Sequence, residues 1–173
     1  MINIERINLE EFFGCVKATN TTQMKSNVFK TFRTYLQEKS FAKWSDGQLI
    51  YVGDYQNGAD FLSEDGTPLE MKGMLNMFNQ NGSTKAIDLK NFRSDNKNID
   101  KTFEYMLLVD TEKMILAATD WDTVKSRTYY TQKSPTAKFK LQDGDYEVLA
   151  YDIEPAEKCI TSSEILDSVE RIL

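Results

Sequence analysis

The chain has 173 residues, 40% of them hydrophobic and 28% charged, with a formal net charge of −6; that balance suits a soluble globular chain with its own core. It contains no histidine, which excludes serine–histidine and cysteine–histidine catalysis and histidine-held zinc. Any hydrolytic chemistry has to run on carboxylates, lysine, tyrosine and a hard metal ion.

The only cysteines, Cys15 and Cys159, are too far apart in sequence for a paired zinc motif and read as packing thiols of a reducing compartment. No apolar run approaches the roughly 18 to 20 residues that cross a bilayer. The opening MINIERINLEEFF lacks the basic-then-apolar order of a signal peptide. A cytoplasmic protein with no membrane contact is expected.

In chain order, residues 8–18 read as a short helix. Residues 26–41 form a longer one, with Ser26 as cap and Val28, Phe32, Tyr35, Leu36 and Lys39 on one face. From Gln48 the texture changes to short β-branched and aromatic runs: 48–52, 59–62, an EDGT turn, and 68–78. Strands at 103–110 and 113–120 follow, joined by a tight Thr-Glu pair, and Asp120 should cap a short helix at 121–126. YYT, AKFKLQ and YEVLAY supply further strands. In 161–173, Thr161 and Glu164 make a capping box ahead of an apolar stripe. No repeat or linker divides the chain, so one domain is expected over 1–173: helical at 1–45, a sheet core at 46–125, strands and a C-terminal helix at 126–173. The order implies an α/β fold with a mixed central sheet flanked by helices.

The stretch GADFLSEDGTPLEMKGML, residues 58–75, carries the chemistry. Alternation along a strand puts Glu70 and Lys72 on one face and Leu69 and Met71 on the other. If the EDGT turn folds 59–62 back beside 68–72, Asp60 approaches Glu70. Two converging carboxylates repel unless a cation lies between them, and magnesium, with its taste for oxygen ligands and phosphate, removes that conflict.

Asp60 followed by Glu70-Met71-Lys72 resembles the signature of the PD-(D/E)xK nucleases, and the size and following hairpins are similar to short type II restriction endonucleases. The resemblance covers roughly residues 48–120. It implies a restriction-endonuclease-like fold and a Mg²⁺-dependent endonuclease hydrolysing DNA phosphodiester bonds. Asp60 and Glu70 would be metal ligands, the Met71 carbonyl an additional ligand and Lys72 the catalytic lysine. Glu38 is the candidate for the further acid that such enzymes often draw from a preceding helix. The family's proline before the aspartate is Ala59 here, a departure at a position that is often relaxed. Double-stranded DNA and a homodimer are the implied partners, with the apolar face from Val28 to Leu36 as the interface.

Other readings stay open. A second acid-x-base, Asp88-Leu89-Lys90, competes with Glu70-Met71-Lys72, and a salt-bridged surface strand would look the same. Residues 79–98 are rich in amides, hydroxyls and bases, so Asn79, Gln80, Asn81, Ser83, Thr84, Lys85 and Arg93 form either a DNA-reading loop or a plain polar loop. Between Lys125 and Gln142 there are five basic residues and no acidic one, against nine acidic and two basic from Asp143 onward. Lys125, Arg127, Lys133, Lys138 and Lys140 thus serve either phosphate binding or solubility. Trp44, Trp121, Tyr129 and Tyr130 read as core or interface anchors. A structure-specific nuclease and a non-enzymatic acidic binding module are the competing functions.

Overall fold

The computed structural model describes residues 2–20, 29–53, 58–93, 101–133, 136–152 and 170. A 3-10 turn at Ile4–Arg6 leads into α1, Leu9–Thr19, whose N-cap Asn8 accepts from the Glu11 amide at 3.3 Å. Helix α2 spans Lys30–Lys43 and starts at Phe29 without a side-chain cap; the expected cap Ser26 and Val28 lie outside the described residues. Its buried face also differs from the expected one. Leu36, Gln37, Glu38, Ser40 and Phe41 are buried, whereas Phe32 is 45% exposed. The helix is phased by Phe41, which wedges between Phe12 of α1 at 4.8 Å and Phe61 of the sheet at 6.0 Å, so the aromatic stripe through Phe32 is turned away from the core.

The strands are β1 Leu49–Tyr51, β2 Phe61–Ser63, β3 Pro68–Met74, β4 Ile87–Arg93, β5 Tyr105–Asp110, β6 Ile115–Asp120, β7 Thr128–Tyr129, β8 Thr136–Phe139 and β9 Glu147–Tyr151, with α3, Trp121–Ser126, after β6. Strands β1, β2 and β3 form an antiparallel meander. The EDGT turn between β2 and β3 is held by Asp65, whose Oδ1 accepts from the Thr67 amide at 3.1 Å and the Thr67 hydroxyl at 2.7 Å. Strand β3 then runs parallel to β5, with Glu70 opposite Met106 and Lys72 opposite Leu108. A parallel neighbour needs a crossover. Here it passes through β4, which leaves the main sheet and joins β8 and β7 in a second one. The result is a six-stranded mixed sheet, β1-β2-β3-β5-β6-β9, and a three-stranded sheet, β4-β8-β7.

The β5–β6 connection is longer than the expected Thr-Glu pair. Asp110 pairs with Ile115, leaving residues 111–114 as the turn, with Met114 at φ 54°. The cause is Asp110, which is fully buried and accepts amides from Asn76 at 3.2, Phe78 at 3.1, Glu112 at 3.1 and Lys113 at 2.9 Å. A turn wrapped around a carboxylate needs more chain than one closed by backbone alone. Helix α3 begins as expected, with Asp120 Oδ1 accepting from the Thr123 amide at 2.7 Å.

The main sheet is covered on both faces. Alternating residues of β5 divide between them: Leu107 and Val109 pack with Phe12, Phe41, Phe61 and Met71 on the side of α1 and α2. Met106 and Leu108 pack with Trp121, Val124, Ala137 and Phe139 on the side of α3 and the small sheet. Strand β9 pairs with β6, so part of the segment after residue 125 is built into the main sheet. Of the expected C-terminal helix 161–173, only residue 170 is among the described residues, and it is helical. Among the described residues, no helix is long and apolar enough to cross a membrane.

Cys15 lies between α1 and α2, 3.8 Å from the Leu36 carbonyl. Burial pushes its thiol up to about 11, with the neighbouring Ser40 hydroxyl pulling the other way. The folded thiol therefore keeps its proton longer than the unfolded one, which ionises near 9.0. The stability gained is complete below that value and is lost as the pH rises toward 11. In a Cys159→Ser protein, Cys15 should resist iodoacetamide at about pH 8.5 until urea unfolds the chain, and the urea midpoint should fall over that alkaline window. Labelling of the folded protein at the unfolded rate would contradict this packing.

Candidate active site

The site is built around β3. Leu69 and Met71 point into the helix-side core, and Glu70 and Lys72 occupy the other face. There the Lys72 ammonium donates to Glu70 Oε1 in a close ion pair, the two side chains being 19% and 9% exposed. Asp60 sits just before β2 and is buried. Its amide donates to the Leu69 carbonyl at 2.9 Å, and its own carbonyl accepts from Val52 at 2.9 Å. Beyond this point β2 no longer supplies a backbone partner, and Asp60 Oδ2 takes over by accepting the Met71 amide at 2.7 Å. In an extended strand the carbonyl of a residue points to the same side as its amide. The Met71 carbonyl therefore looks toward the gap where β2 parts from β3.

Helix α2 brings the third acid, Glu38, which is buried. Its neighbour Gln37 donates to the Thr19 hydroxyl at 2.8 Å, and its Oε1 lies against Gly73, where a Cβ would stand only 3.1 Å away. Glycine at this position lets α2 lie close over β3 one residue past the lysine. The reading of the sequence did not single out Gly73 or Gln37. The available signal was a glycine inside a strand pattern directly after Lys72.

Burial works to lower the pKa of Lys72, yet it ends above the ordinary lysine value. Glu70 acts on it through charge and hydrogen bond, and Asp60 and Glu38 add their charges. Three carboxylates thus lie within electrostatic reach of one buried ammonium, leaving a formal excess of negative charge. All offer oxygen, the donor type that suits magnesium, which needs only one or two protein carboxylates beside water and phosphate. Among the described residues, no three aspartate, glutamate or cysteine side chains stand close enough together to hold a metal as they are arranged.

The rival acid-x-base lies elsewhere. Asp88 is on β4 in the small sheet and binds Lys138 across the strands at 2.7 Å. The expected reading loop is a tied turn. Asn79 Nδ2 donates to Ser83 Oγ at 3.0 Å, and Ser83 Oγ donates to Asn81 Oδ1 at 2.7 Å. Gly82 fits against Asp143, where a Cβ would meet the aspartate side chain at 2.8 Å, and the Gly82 carbonyl accepts from the Tyr146 hydroxyl at 2.9 Å. Thr84 is fully buried, and its hydroxyl accepts from the Leu141 amide at 3.0 Å. Neither Thr84 nor the buried Ser83 is a DNA-reading side chain as placed, because each is spent on the turn itself. Gln80 and Lys85 are exposed. Arg93 ends β4, and its side chain lies outside what the structure describes.

The basic stripe is partly neutralised: Arg127 binds Asp145 at 2.8 Å and, as noted, Lys138 binds Asp88, while Lys125, Lys133 and Lys140 are exposed. Trp121 is a core residue, edge-on to Phe103 at 5.0 Å, whereas Tyr129 and Tyr130 are exposed. The sequence matches no protein-family model and no curated protein.

Because the Glu70–Lys72 pair is buried, Lys72 variants cannot be silent for stability. Replacing Lys72 by Met leaves Glu70 without its cation beside two other acids and should cost about 3–5 kcal/mol in urea unfolding. The double change Glu70→Gln with Lys72→Met should recover much of that loss. Equal stability of Lys72→Met and the unaltered protein would show that the carboxylates do not depend on the ammonium.

Proposed function

We propose that the chain is a magnesium-dependent endonuclease of restriction-endonuclease-like fold that cuts double-stranded DNA as a homodimer. The observation that supports the reading is the Glu70–Lys72 ion pair on β3, with Asp60 bonded to the Met71 amide that lies between them and with the charges of Asp60 and Glu38 felt at Lys72. The meander β1-β2-β3 followed by a parallel β5, with two helices over one face, supports the fold. The opposite face carries the small sheet and α3 in place of a full helical layer.

Asp60, Glu70 and the Met71 carbonyl would hold the magnesium, with Glu38 beside them. Bound there, the ion would acidify a water and offset the charge that develops on the phosphate. Lys72 has to leave Glu70 for this work. Its raised pKa keeps it an ammonium at neutral pH, so its part is to orient the attacking water and face the scissile phosphate, not to abstract a proton. Asp60 Oδ2 fixes the backbone of Met71, which ties this acid to the strand that carries Glu70 and Lys72. The dimer draws support from Phe29 and Phe32, which stand 43% and 45% exposed at the start of α2.

A binding module without catalysis is favoured by one feature, the Glu70 carboxylate already engaged by Lys72. Plasmid DNA incubated with and without Mg²⁺, followed by sequencing of fragment ends, separates the readings. Defined ends that depend on Mg²⁺ are expected, and Glu70→Gln should slow cutting by about 1000-fold, equal to about 4 kcal/mol of transition-state stabilisation. Intact plasmid and intact branched DNA at every magnesium concentration would sink the nuclease reading.

A further inference from the structure

The small sheet has two unlike faces. Ile87, Leu89, Ala137 and Phe139 are buried in the core. On the outer face, Asp88, Lys138 and Tyr129 form one row, because Lys138 of β8 pairs with Asp88 of β4 and with Tyr129 of β7. Alternation places Lys140, two residues past Lys138, on the same side, and it is exposed. Lys133, three residues after Tyr130, is exposed, and Tyr129 and Tyr130 are 39% and 38% exposed.

We infer that this outer face is a seat for an unpaired nucleic-acid strand. A chain of net charge −6 gains nothing in solubility from five cations in one uninterrupted run with no acid among them. Two of the five are neutralised within the chain, by Asp145 and Asp88, and of the exposed remainder Lys125 and Lys133 lie on either side of the tyrosines in sequence. Aromatic rings set among lysines on an open sheet offer what a single strand can use, since its bases stack on the rings while its phosphates meet the ammonium groups. A duplex, with its bases already stacked, would use only the lysines and leave Tyr129 without a part. The inference rests on the nuclease reading only in taking the ligand to be nucleic acid. An endonuclease with this seat would favour substrates in which a single-stranded segment adjoins the duplex.

The test is fluorescence anisotropy with labelled oligothymidylate of about 20 nucleotides and its duplex counterpart, in EDTA, over a range of salt concentrations. The protein should bind the single strand more tightly than the duplex. Tyr129→Ala should weaken binding about tenfold while Tyr129→Phe preserves it. Lys133→Glu with Lys140→Glu should reduce the salt slope by about 1.4. Unchanged affinity of Tyr129→Ala, tighter binding of the duplex, or displacement by polyglutamate as effective as by oligothymidylate would each overturn the assignment, the last pointing to an acidic protein partner. Binding is read in EDTA, where no magnesium-dependent cutting takes place. A failure of cutting and a failure of this seat are therefore seen separately.

Discussion

A partly buried lysine ammonium paired with one buried carboxylate, and within the field of two more, persists only while the opposite charges stay within reach of one another, and several elements of this fold keep them there. Strand alternation sets Glu70 and Lys72 side by side. The Asp60 carboxylate is tethered by the Met71 amide at 2.7 Å. Glu38 depends on how closely α2 can approach β3, which is where the missing side chain of Gly73 matters. Removing the Lys72 ammonium leaves the buried Glu70 without its cation, and that costs more than the contact itself gives.

Strand β3 carries this cluster because it is the junction of two pairing modes. It closes the antiparallel meander on one side and runs parallel to β5 on the other. The parallel side satisfies its backbone by an unbroken register from Leu69 with Tyr105 to Met74 with Asp110. The meander side stops early, and a side chain, Asp60, substitutes for backbone. A sheet interior seldom leaves polar backbone facing a gap. Here the Met71 carbonyl is left on the side of that gap. At the far end of the pairing, Asp110 fixes both the β5–β6 turn and the chain leaving β3 through four amides, so the strand is pinned at both ends.

What could be read from the sequence was local. The alternation in Pro-Leu-Glu-Met-Lys, the turn at Glu-Asp-Gly-Thr and the Asp120 cap of α3 are each decided within a few residues, and the folded chain follows them. What escaped was set by distant partners. The phase of α2 was misjudged because Phe32 and Phe41 are equally apolar, and only the position of Phe12 and Phe61 decides which one is buried. The length of the β5–β6 turn depends on amides from Asn76 and Phe78, more than thirty residues away. Residues 79–85 have the composition of a reading loop, yet Asn79, Asn81, Ser83 and Thr84 are bonded to one another or to the segment from Leu141 to Tyr146. Of the site, the sequence pattern showed that Glu70 and Lys72 share a face. That they bind each other is what the rival reading, a salt-bridged strand, expected.

That mutual binding has a consequence for how a metal site of the proposed kind would form. Carboxylates repel, and with Lys72 as the nearby cation the acids gather around its ammonium, not around an empty point between them. A preformed cage of three converging carboxylates would be electrostatically costly before a divalent ion arrived. Among the described residues no three acidic or thiol side chains form such a cage. In the proposed nuclease, a doubly charged ion entering at the gap would satisfy the excess negative charge that one ammonium leaves. Asp60, Glu70 and the Met71 carbonyl would hold it, and Lys72, an ammonium at neutral pH, would be the group placed to face a phosphate.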